Sequence, residues 1–348
     1  MYRVYSLAER QNWEEAVARL KARDISYFPG YCRLFQEHGE GQAMLFEYEE
    51  HGNFVLYPFF LRDISLEAAF RGKLKESYFD TVTPYGYGGP LASDPEDRQL
   101  IVNFRRAFQD YCRKKRIVAE FIRFHPLLGN HAYPYEDLLV ERNKEIVCVD
   151  LERSAEEIWS NYRRNNRKNI KKALREGLEV TFDFTGETYR EFIQLYYLTM
   201  DRREARDYYY FDEDFFRLLH QELAGNFLYV YALYRGTAVS AELVLYSEDY
   251  LHSFLGGTLE EYFPLRPNNL LKHRLIEWAR QKGLKSYILG GGYQKDDGIL
   301  RFKKSFARDG VIDFYVGKKL HDPEVAEWLC SLRKGEPLRT DFFPAYRG

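Results

Sequence analysis

The feature that most constrains the fold is a series of helix and strand patterns that occurs twice along the chain in the same order. In each half, helical periodicity precedes a series of strand-like segments, and an amphipathic helix and a further strand follow. In the second half, strand patterns at 227–234, 238–246 and 250–255 stand at hairpin spacing, and a helical pattern follows at 267–282. We therefore predict an α+β fold built from two related domains, each with a mixed, mainly antiparallel sheet flanked by helices.

The length and one polar stretch define the predicted domains. A chain of 348 residues is compatible with two domains. Residues 126–145 are polar and loop-like, and a strand pattern begins at 146. We therefore predict an N-terminal domain at 1–148 and a C-terminal domain at 149–316.

Charge and cysteine content exclude several function classes. The net charge of −2 gives no global attraction to nucleic acid or to an anionic membrane, so such contacts require a local patch. The four cysteines are far apart and form no Cys-x-x-Cys pair, which argues against a zinc site or a redox dithiol and favours a reducing compartment. The sequence has neither a signal-peptide core nor an apolar run of membrane-spanning length. We expect a cytoplasmic protein without a transmembrane segment, and peripheral membrane contact stays open.

Residues 289–306 carry the strongest local signal for a ligand site. They combine the end of an apolar strand, three consecutive glycines, a pair of carboxylates and a basic-aromatic element. Glycines let the backbone pass close to a ligand, and packing around lysine stems can hold an ammonium group in place. The segment therefore predicts a fixed cation at the edge of a cleft. The alternative is a strand, a tight turn and a second strand with a solvated face.

A strongly basic helix is predicted at 154–176. Ser154 and Glu157 form a capping-box pattern at its start, and seven Lys or Arg residues lie between 163 and 175. An apolar stripe at spacings of three and four predicts that one face is buried and the other is cationic. This face could hold phosphates of RNA, of a sugar nucleotide or of a lipid head group. The alternative is a solvated face paired with acidic loops.

Several catalytic signatures are missing from the sequence. It contains no Gly-x-Ser-x-Gly elbow, no His-Glu-x-x-His helix, no Walker loop and no Gly-x-Gly-x-x-Gly motif. His252 and His273 are expected to be structural. Neither a covalent nucleophile nor a metal site is predicted, which leaves direct transfer between two bound substrates that the protein orients and stabilises electrostatically.

Four stretches, in order, resemble the FemABX family of non-ribosomal peptidyltransferases and the related acetyltransferases with a Gcn5-type N-acetyltransferase (GNAT) fold. They are Pro84–Pro90 (PYGYGGP), Arg163–Ala173 (RRNNRKNIKKA), Leu289–Gly292 (LGGG) and Phe302–Phe306 (FKKSF). The resemblance implies a tandem of two GNAT-like domains, with residues 317–348 packing back on the first.

The resemblance also implies a reaction and its residues. The family transfers an acyl or aminoacyl group to an amine, with acyl-CoA or aminoacyl-tRNA as co-substrate and no tightly bound cofactor. Lys303 matches the lysine that the family places at the reacting carbonyl. The GNAT pyrophosphate loop is missing, and Asn268 and Asn269 stand at the start of the 267–282 helix in its place, as candidate cofactor-binding residues. The candidate substrate-binding residues are Tyr85, Tyr87, Arg163, Arg167, Gly290, Gly291, Gly292, Tyr293, Asp297 and Phe302.

The sequence thus favours an acyltransferase that acts on an amine of a cell-envelope precursor, in peptidoglycan or polysaccharide biogenesis. The expected partner is a phosphate-bearing acceptor, such as a sugar nucleotide or a lipid-linked precursor, and tRNA is a further candidate. Two alternatives remain. One is an acetyl-CoA-dependent N-acetyltransferase acting on an amino sugar, and the other is a non-catalytic module that binds RNA or lipid through the basic helix.

Overall fold

The computed structural model describes residues 1–292, 297–333, 339 and 342–348. The chain divides into two compact units. Unit 1 comprises residues 1–22, 26–143 and 314–348, and unit 2 comprises residues 23–25 and 144–313. The boundaries predicted from the sequence, after residues 148 and 316, fall inside two strands, Leu139–Asp150 and Val311–Leu320.

Unit 1 combines a sheet with helices that lie between its strands, or after the last of them, in the sequence. Its strands are β1 (Tyr2–Ser6), β2 (Gln42–Glu50), β3 (Asn53–Asp63), β4 (Phe79–Val82), β5 (Leu91–Ala92) and β6 (Ile117–Arg123), together with parts of β7 (Leu139–Asp150) and β13 (Val311–Leu320). Its helices are α1 (Arg10–Ala18), α2 (Pro29–Glu37), α3 (Arg98–Lys115) and α10 (Pro323–Leu332). In α10, Ala326 and Leu329 are buried in one apolar cluster with Phe70 and Val118.

Unit 2 likewise combines strands and helices. Its strands are β8 (Leu178–Asp183), β9 (Phe227–Tyr234), β10 (Thr237–Tyr246), β11 (Tyr250–Thr258) and β12 (Ser286–Gly291), together with the rest of β7 and β13. Its helices are α4 (Ala155–Asn161), α5 (Arg164–Arg175), α6 (Tyr189–Arg202), α7 (Glu213–Glu222), α8 (Pro267–Lys282) and α9 (Gly298–Lys303).

The two sheets share one topology. The strand order is β1-β2-β3-β4-β6-β13 in unit 1 and β8-β9-β10-β11-β12-β7 in unit 2. Along both orders the pairs are antiparallel except β4–β6 and β11–β12, which are parallel. Parallel neighbours need a crossover, which α3 provides in unit 1 and α8 in unit 2. The predicted duplication and the predicted α+β class with mainly antiparallel sheets are confirmed.

Helix α8 shows how local sequence sets an element. Pro267 occupies its first position, where a missing N–H costs nothing, and Gly283 follows its end with a φ of +86°. The face formed by Leu271, Leu275 and Ala279 is buried in the core of unit 2. Start signal, stop signal and periodicity agree, and the predicted bounds 267–282 are those of the structure.

Two local predictions and one alternative are wrong. The stretch 126–145 is not all loop, because β7 begins at Leu139. The helix predicted at 154–176 is two helices, because Tyr162 and Arg163 have extended backbone angles between α4 and α5. The Tyr162 ring is fully buried, and the Arg163 N–H donates to the Ser305 carbonyl at 2.9 Å, so tertiary contacts override helix propensity here. The second strand considered after the glycines is the short helix α9.

Candidate active site

Unit 2 contains a cavity of about 590 Å³. It is lined by Thr199, Met200, Arg202 and Arg203 at the end of α6, by Ala241 and Glu242 of β10, by Ser253–Thr258 of β11, by Phe263, Asn268 and Lys272, and by Asp297, Gly298, Ile299, Phe302 and Lys303 around α9. A cavity of this size can hold at least part of a small organic ligand. The charged residues that line it come from separate helices and strands.

The cavity lies where β11 leaves its parallel neighbour. The pairing between β11 and β12 covers only Tyr250–His252 and Ser286–Ile288. Beyond this point β11 stays paired with β10 and β12 stays paired with β7. A register shift opposite Leu243 and Val244 makes Phe254 an additional residue in β11, and Phe254 lines the cavity. The separation of two parallel strands therefore opens a space bordered by strand backbone.

Lys272 and Glu242 form a buried ion pair in this cavity. They are only 7% and 5% exposed. The Lys272 Nζ lies 2.7 and 2.8 Å from the two Glu242 carboxylate oxygens. Ser253 Oγ and Tyr287 Oη donate to Glu242 Oε1 at 2.5 and 2.9 Å. These hydrogen bonds offset the desolvation cost of both ions and fix their positions.

Lys303, the predicted catalytic residue, lies in the same cavity wall. It is the last residue of α9, it is half-buried, and its Nζ donates to the Gly291 carbonyl at 2.7 Å. Burial, and next the nearby positive charge of Lys272, lowers the pKa of Lys303 from 10.5 to about 7, although Glu242 acts in the opposite direction. The sequence predicts a cation held in a fixed position here. The Gly291 carbonyl holds the Nζ in place, and the lowered pKa means that the group also exchanges its proton near neutral pH.

The glycine triplet places the carbonyl that holds Lys303. Gly290 has a φ of +76°, in the left-handed region that disfavours side chains. A Cβ on Gly291 would lie 2.9 Å from the Glu145 carbonyl oxygen, and one on Gly292 would lie 2.5 Å from an Asp297 carboxylate oxygen. The three glycines thus allow close backbone approach, but the partners in the structure are protein atoms.

Asp297 and Phe302 support α9. Asp297 Oδ1 accepts from the Leu300 N–H at 2.7 Å and so caps the helix. The Phe302 ring packs edge-on against Phe306 at 5.3 Å between centroids, and both residues belong to the core of unit 2 or pack against it. Both Asp297 and Phe302 also line the cavity. Tyr293, the remaining candidate in this segment, lies outside the described residues.

Asn268 and Asn269 have hydrogen-bond partners within the protein, and Asn268 also lines the cavity. Asn268 Nδ2 donates to Thr258 Oγ1 at 2.8 Å, and its Oδ1 accepts from Ser240 at 2.9 Å. Asn269 Nδ2 donates to Asn166 Oδ1 at 2.7 Å. Their amide groups connect the start of α8 to the surrounding chain, and their role in cofactor binding stays a prediction.

The two candidate arginines of the basic segment differ. Arg167 Nη1 donates to the carbonyls of Trp159 at 3.3 Å, Ser160 at 2.9 Å and Tyr162 at 2.5 Å, so this arginine closes the junction between α4 and α5. Arg163 is exposed. Within the described part of the chain, no ion pair engages the exposed cations Arg163, Arg164, Lys168, Lys171 and Arg175. The alternative of a face neutralised by acidic loops is therefore not what the described residues show.

Tyr85 and Tyr87 belong to unit 1, whereas every residue that lines the cavity belongs to unit 2. The Tyr85 ring stacks on Phe35 at 5.1 Å, and its carbonyl accepts from Tyr31 Oη at 2.8 Å. The Tyr87 ring contacts Phe314 edge-on at 5.4 Å. These contacts order the loop at 83–90, and the acceptor role of both tyrosines stays a prediction.

Sequence reasoning missed Glu242 and Lys272. Lys272 precedes Leu275, Ile276 and Ala279 by three, four and seven residues, so it occupies the apolar stripe of α8. Glu242 interrupts an otherwise apolar strand pattern. Charged residues are almost never fully buried unless they are paired, so two charges at core positions of neighbouring elements were the available signal.

Comparisons with known proteins agree with this architecture. Residues 160–304 match the family model described as an acetyltransferase (GNAT) domain, and this segment contains every residue that lines the cavity. No curated protein matches the sequence.

Solved structures show the same fold at low sequence identity. FemX has a TM-score of 0.68 and 13% identity, over 94% of this chain and 99% of that one. The C-terminal domain of a putative lysylphosphatidylglycerol synthetase from Agrobacterium fabrum has a TM-score of 0.56 and 14% identity, over 90% and 93%. A tandem GNAT protein from the clavulanic acid biosynthesis pathway has a TM-score of 0.51 and 8% identity, over 93% and 99%. The predicted tandem GNAT-like fold and the predicted enzyme class, a GNAT-like acyltransferase, are confirmed.

Proposed function

We propose that this acyltransferase transfers an acyl or aminoacyl group to an amine of a phosphate-bearing cell-envelope precursor, and that Lys303 acts at the reacting carbonyl. The observation that carries the proposal is the position of Lys303. Its Nζ is held by the Gly291 carbonyl in the wall of the cavity and has no carboxylate ion pair among the described residues.

The proposed role follows from the chemistry of acyl transfer. Attack of an amine on an ester or thioester forms a tetrahedral intermediate with a negatively charged oxygen. A positioned donor in a water-poor site stabilises this oxygen more than the neutral carbonyl, and removal of one such donor typically costs about 2.7–4 kcal/mol. Lys303 borders the open space of the cavity, and the Gly291 carbonyl is its one hydrogen-bond acceptor among the described residues, so it keeps donor capacity for this oxygen.

Aminoacyl transfer is the donor chemistry we favour. Two structurally similar proteins are FemX and a putative lysylphosphatidylglycerol synthetase, the second named for an aminoacylated phospholipid. The exposed cations of α5 provide an anion-binding face for the phosphates of a tRNA donor or of a sugar-nucleotide or lipid-linked acceptor. With aminoacyl transfer as the reaction, the pathway we propose is the biosynthesis of peptidoglycan or of a related envelope polymer.

The proposed location is the cytoplasm, where acyl-CoA, aminoacyl-tRNA and sugar nucleotides are available. Among the helices of the described ranges, none combines the length and the hydrophobicity that a membrane crossing requires. A lipid-linked acceptor would therefore be reached through peripheral contact, for which the cationic face of α5 is the candidate surface.

The test is Lys303→Ala, assayed with radiolabelled acyl-CoA and aminoacyl-tRNA donors against amine-bearing sugar-nucleotide and lipid-linked acceptors. We expect turnover to fall by a factor of about 10²–10³ while circular dichroism and donor affinity stay unchanged. Lys304→Ala is the matched control, since the neighbouring Lys304 pairs with Glu145 at 2.7 Å and does not line the cavity. Full turnover in Lys303→Ala would exclude the assigned role.

A second candidate is an acetyl-CoA-dependent N-acetyltransferase that acts on an amino sugar. The gap between β11 and β12 favours it, because an extended ligand with amide groups can bind along unpaired strand backbone. Calorimetric titration with CoA separates the two candidates. Tight, magnesium-independent binding favours the acetyltransferase, whereas absence of heat with CoA together with transfer from aminoacyl-tRNA favours the first proposal.

A further inference from the structure

The cavity holds two lysines with different surroundings. Lys272 has a carboxylate partner in Glu242 and further contacts with Ser253 Oγ and Tyr287 Oη, each at 3.2 Å. Lys303 has only the Gly291 carbonyl as a hydrogen-bond acceptor in the described chain. Two ammonium groups in one poorly hydrated site repel each other, and the one without a carboxylate is the one that loses its proton more easily.

Charges from several elements act on Lys303. Positive charges are contributed by Lys272 of α8 and Lys144 of β7, and negative charges by Glu242 of β10 and by Asp297 at the start of α9. Arg202 and Arg203, at the end of α6, line the same cavity. Of these groups Lys272 has the largest effect on Lys303 after burial itself.

We propose that its place in the cavity wall and the positive charge of the buried Lys272 favour the uncharged form of Lys303, so that Lys303 enters the reaction as a neutral amine and carries one proton from the acceptor to the leaving group. Lys303 is the catalytic residue in this scheme, and Lys272 is a positioning residue that acts through it. The proposal rests on the acyl-transfer function described above and assigns its general base.

The proton balance is as follows. Neutral Lys303 takes one proton from the acceptor ammonium, which frees the lone pair of the acceptor nitrogen. That nitrogen forms the new C–N bond, and the carbonyl π electrons move to oxygen, which faces the newly formed Lys303 ammonium. An electron pair on the oxyanion then re-forms the carbonyl, the C–O or C–S bond to the donor breaks with its electron pair staying on the leaving oxygen or sulfur, and Lys303 returns its proton to that atom. The second proton of the acceptor nitrogen passes to water, and no oxidant or reductant is required.

The experiment measures the ionisation of Lys303 without any substrate. Full-length protein is labelled with trace acetic anhydride across a pH series, and mass spectrometry quantifies acetylation of Lys303 relative to the exposed Lys168. Only the neutral amine reacts, so the labelling midpoint reports the pKa, which we expect near 7 in the native protein. Lys272→Met removes the repelling charge and should raise the midpoint, so labelling at neutral pH falls by about tenfold for each pH unit of the shift.

Lys272→Arg is the matched control, because it changes the packing but keeps the positive charge. We expect its midpoint to stay close to that of the native protein. The double variant Lys272→Met with Glu242→Gln removes both charges and leaves no unpaired buried carboxylate, and we expect a smaller upward shift. It supplies the readout if Lys272→Met does not fold.

Two labelling outcomes would overturn the proposal. One is an ordinary lysine midpoint in the native protein. The other is an equal shift in Lys272→Arg and Lys272→Met, since that would assign the effect to packing. Because labelling needs no substrate, its result is separate from the proposed function. If the native protein transfers no acyl group from either donor while the labelling results hold, the proposed function fails and the charge coupling stands. Full turnover in Lys303→Ala would instead exclude Lys303 as the proton carrier.

Discussion

Each unit buries a cluster of charges, and the two clusters are built differently. In unit 1, Arg105 donates to both Glu120 oxygens at 2.9 and 2.8 Å and to both Asp137 oxygens at 3.1 and 2.9 Å, and His321 contacts Glu120 at 3.1 Å. In unit 2, the Lys272–Glu242 pair is equally buried, but Lys303 stands beside it without a carboxylate among the described residues.

This difference separates a structural cluster from a candidate catalytic one. The two sheets have the same strand order, so the topology does not account for it. Glu120 has its pKa held far below the ordinary value by Arg105 against the effect of burial, whereas Lys303 has its pKa lowered into the neutral range by burial and by a like charge. In a cluster in which every ion is paired, removal of one partner destabilises the fold, whereas an ion without a carboxylate partner next to a cavity is a candidate for proton exchange.

The largest expected change in stability follows from removing Arg105 from the paired charge cluster of unit 1. Arg105→Met leaves Glu120 and Asp137 buried without their common partner, and we expect the free energy of unfolding to fall by about 3–5 kcal/mol. Urea unfolding monitored by circular dichroism measures it. Arg113→Met is the control on the same helix, because Arg113 and its partner Asp110 are exposed, and it should change stability by less than about 1 kcal/mol. A similar small loss in both variants would remove the structural role assigned to Arg105.

Replacement of Lys303 should raise the free energy of unfolding, which is opposite to the effect of replacing Arg105. A pKa lowered from 10.5 to about 7 means that the unfolded chain binds more protons than the folded one between these values. At about 1.4 kcal/mol per pH unit, Lys303→Met should therefore stabilise the protein by up to roughly 5 kcal/mol at pH 7 and below, with solvent access reducing this figure. The gain should decline as the pH rises above 7 and vanish near 10.5.

Urea unfolding of both proteins at several pH values measures this gain. Lys304→Met is the control, since its removal breaks the ion pair with Glu145 and should give no gain. If Lys303→Met is destabilising throughout the pH range, Lys303 has a structural role like that of the charges buried in unit 1.

Sequence patterns predicted the elements that local signals define. The α8 bounds were correct because Pro267, Gly283 and an apolar stripe agree. The break at Tyr162 and Arg163 was not predictable in this way, because it depends on a contact with Ser305, which is distant in sequence.

The candidate site was predictable only in part. The family resemblance located Lys303, and the structure places it in a cavity wall. Its pKa was not predictable, because it depends on Lys272 and Glu242, whose approach is set by how α8 packs on β10. Asn268 and Asn269 were chosen for their position at a helix start, and their side-chain partners appear only in three dimensions.

The smallest expected effect concerns the loop that places α9. Gly292→Ala would set a Cβ 2.5 Å from the Asp297 carboxylate and so displace the cap of α9. We expect the free energy of unfolding to fall by about 1 kcal/mol, typical of a lost cap. Gly298→Ala is the matched control within the same helix, since its Cβ would meet no atom within 4 Å, and it should be neutral or stabilising by roughly 0.5–1 kcal/mol.

The variants Gly292→Ala and Gly298→Ala also test whether the cap of α9 holds Lys303 in position. If the α9 cap holds Lys303 against the Gly291 carbonyl, Gly292→Ala should move the acetylation midpoint of Lys303 upward, because a displaced side chain gains contact with water. Gly298→Ala should leave that midpoint unchanged. Equal midpoints in both variants, together with a loss of stability only in Gly292→Ala, would show that the cap supports the helix without setting the environment of the lysine. The glycine triplet would then be a packing feature, and the low pKa would depend on the cavity and Lys272 alone.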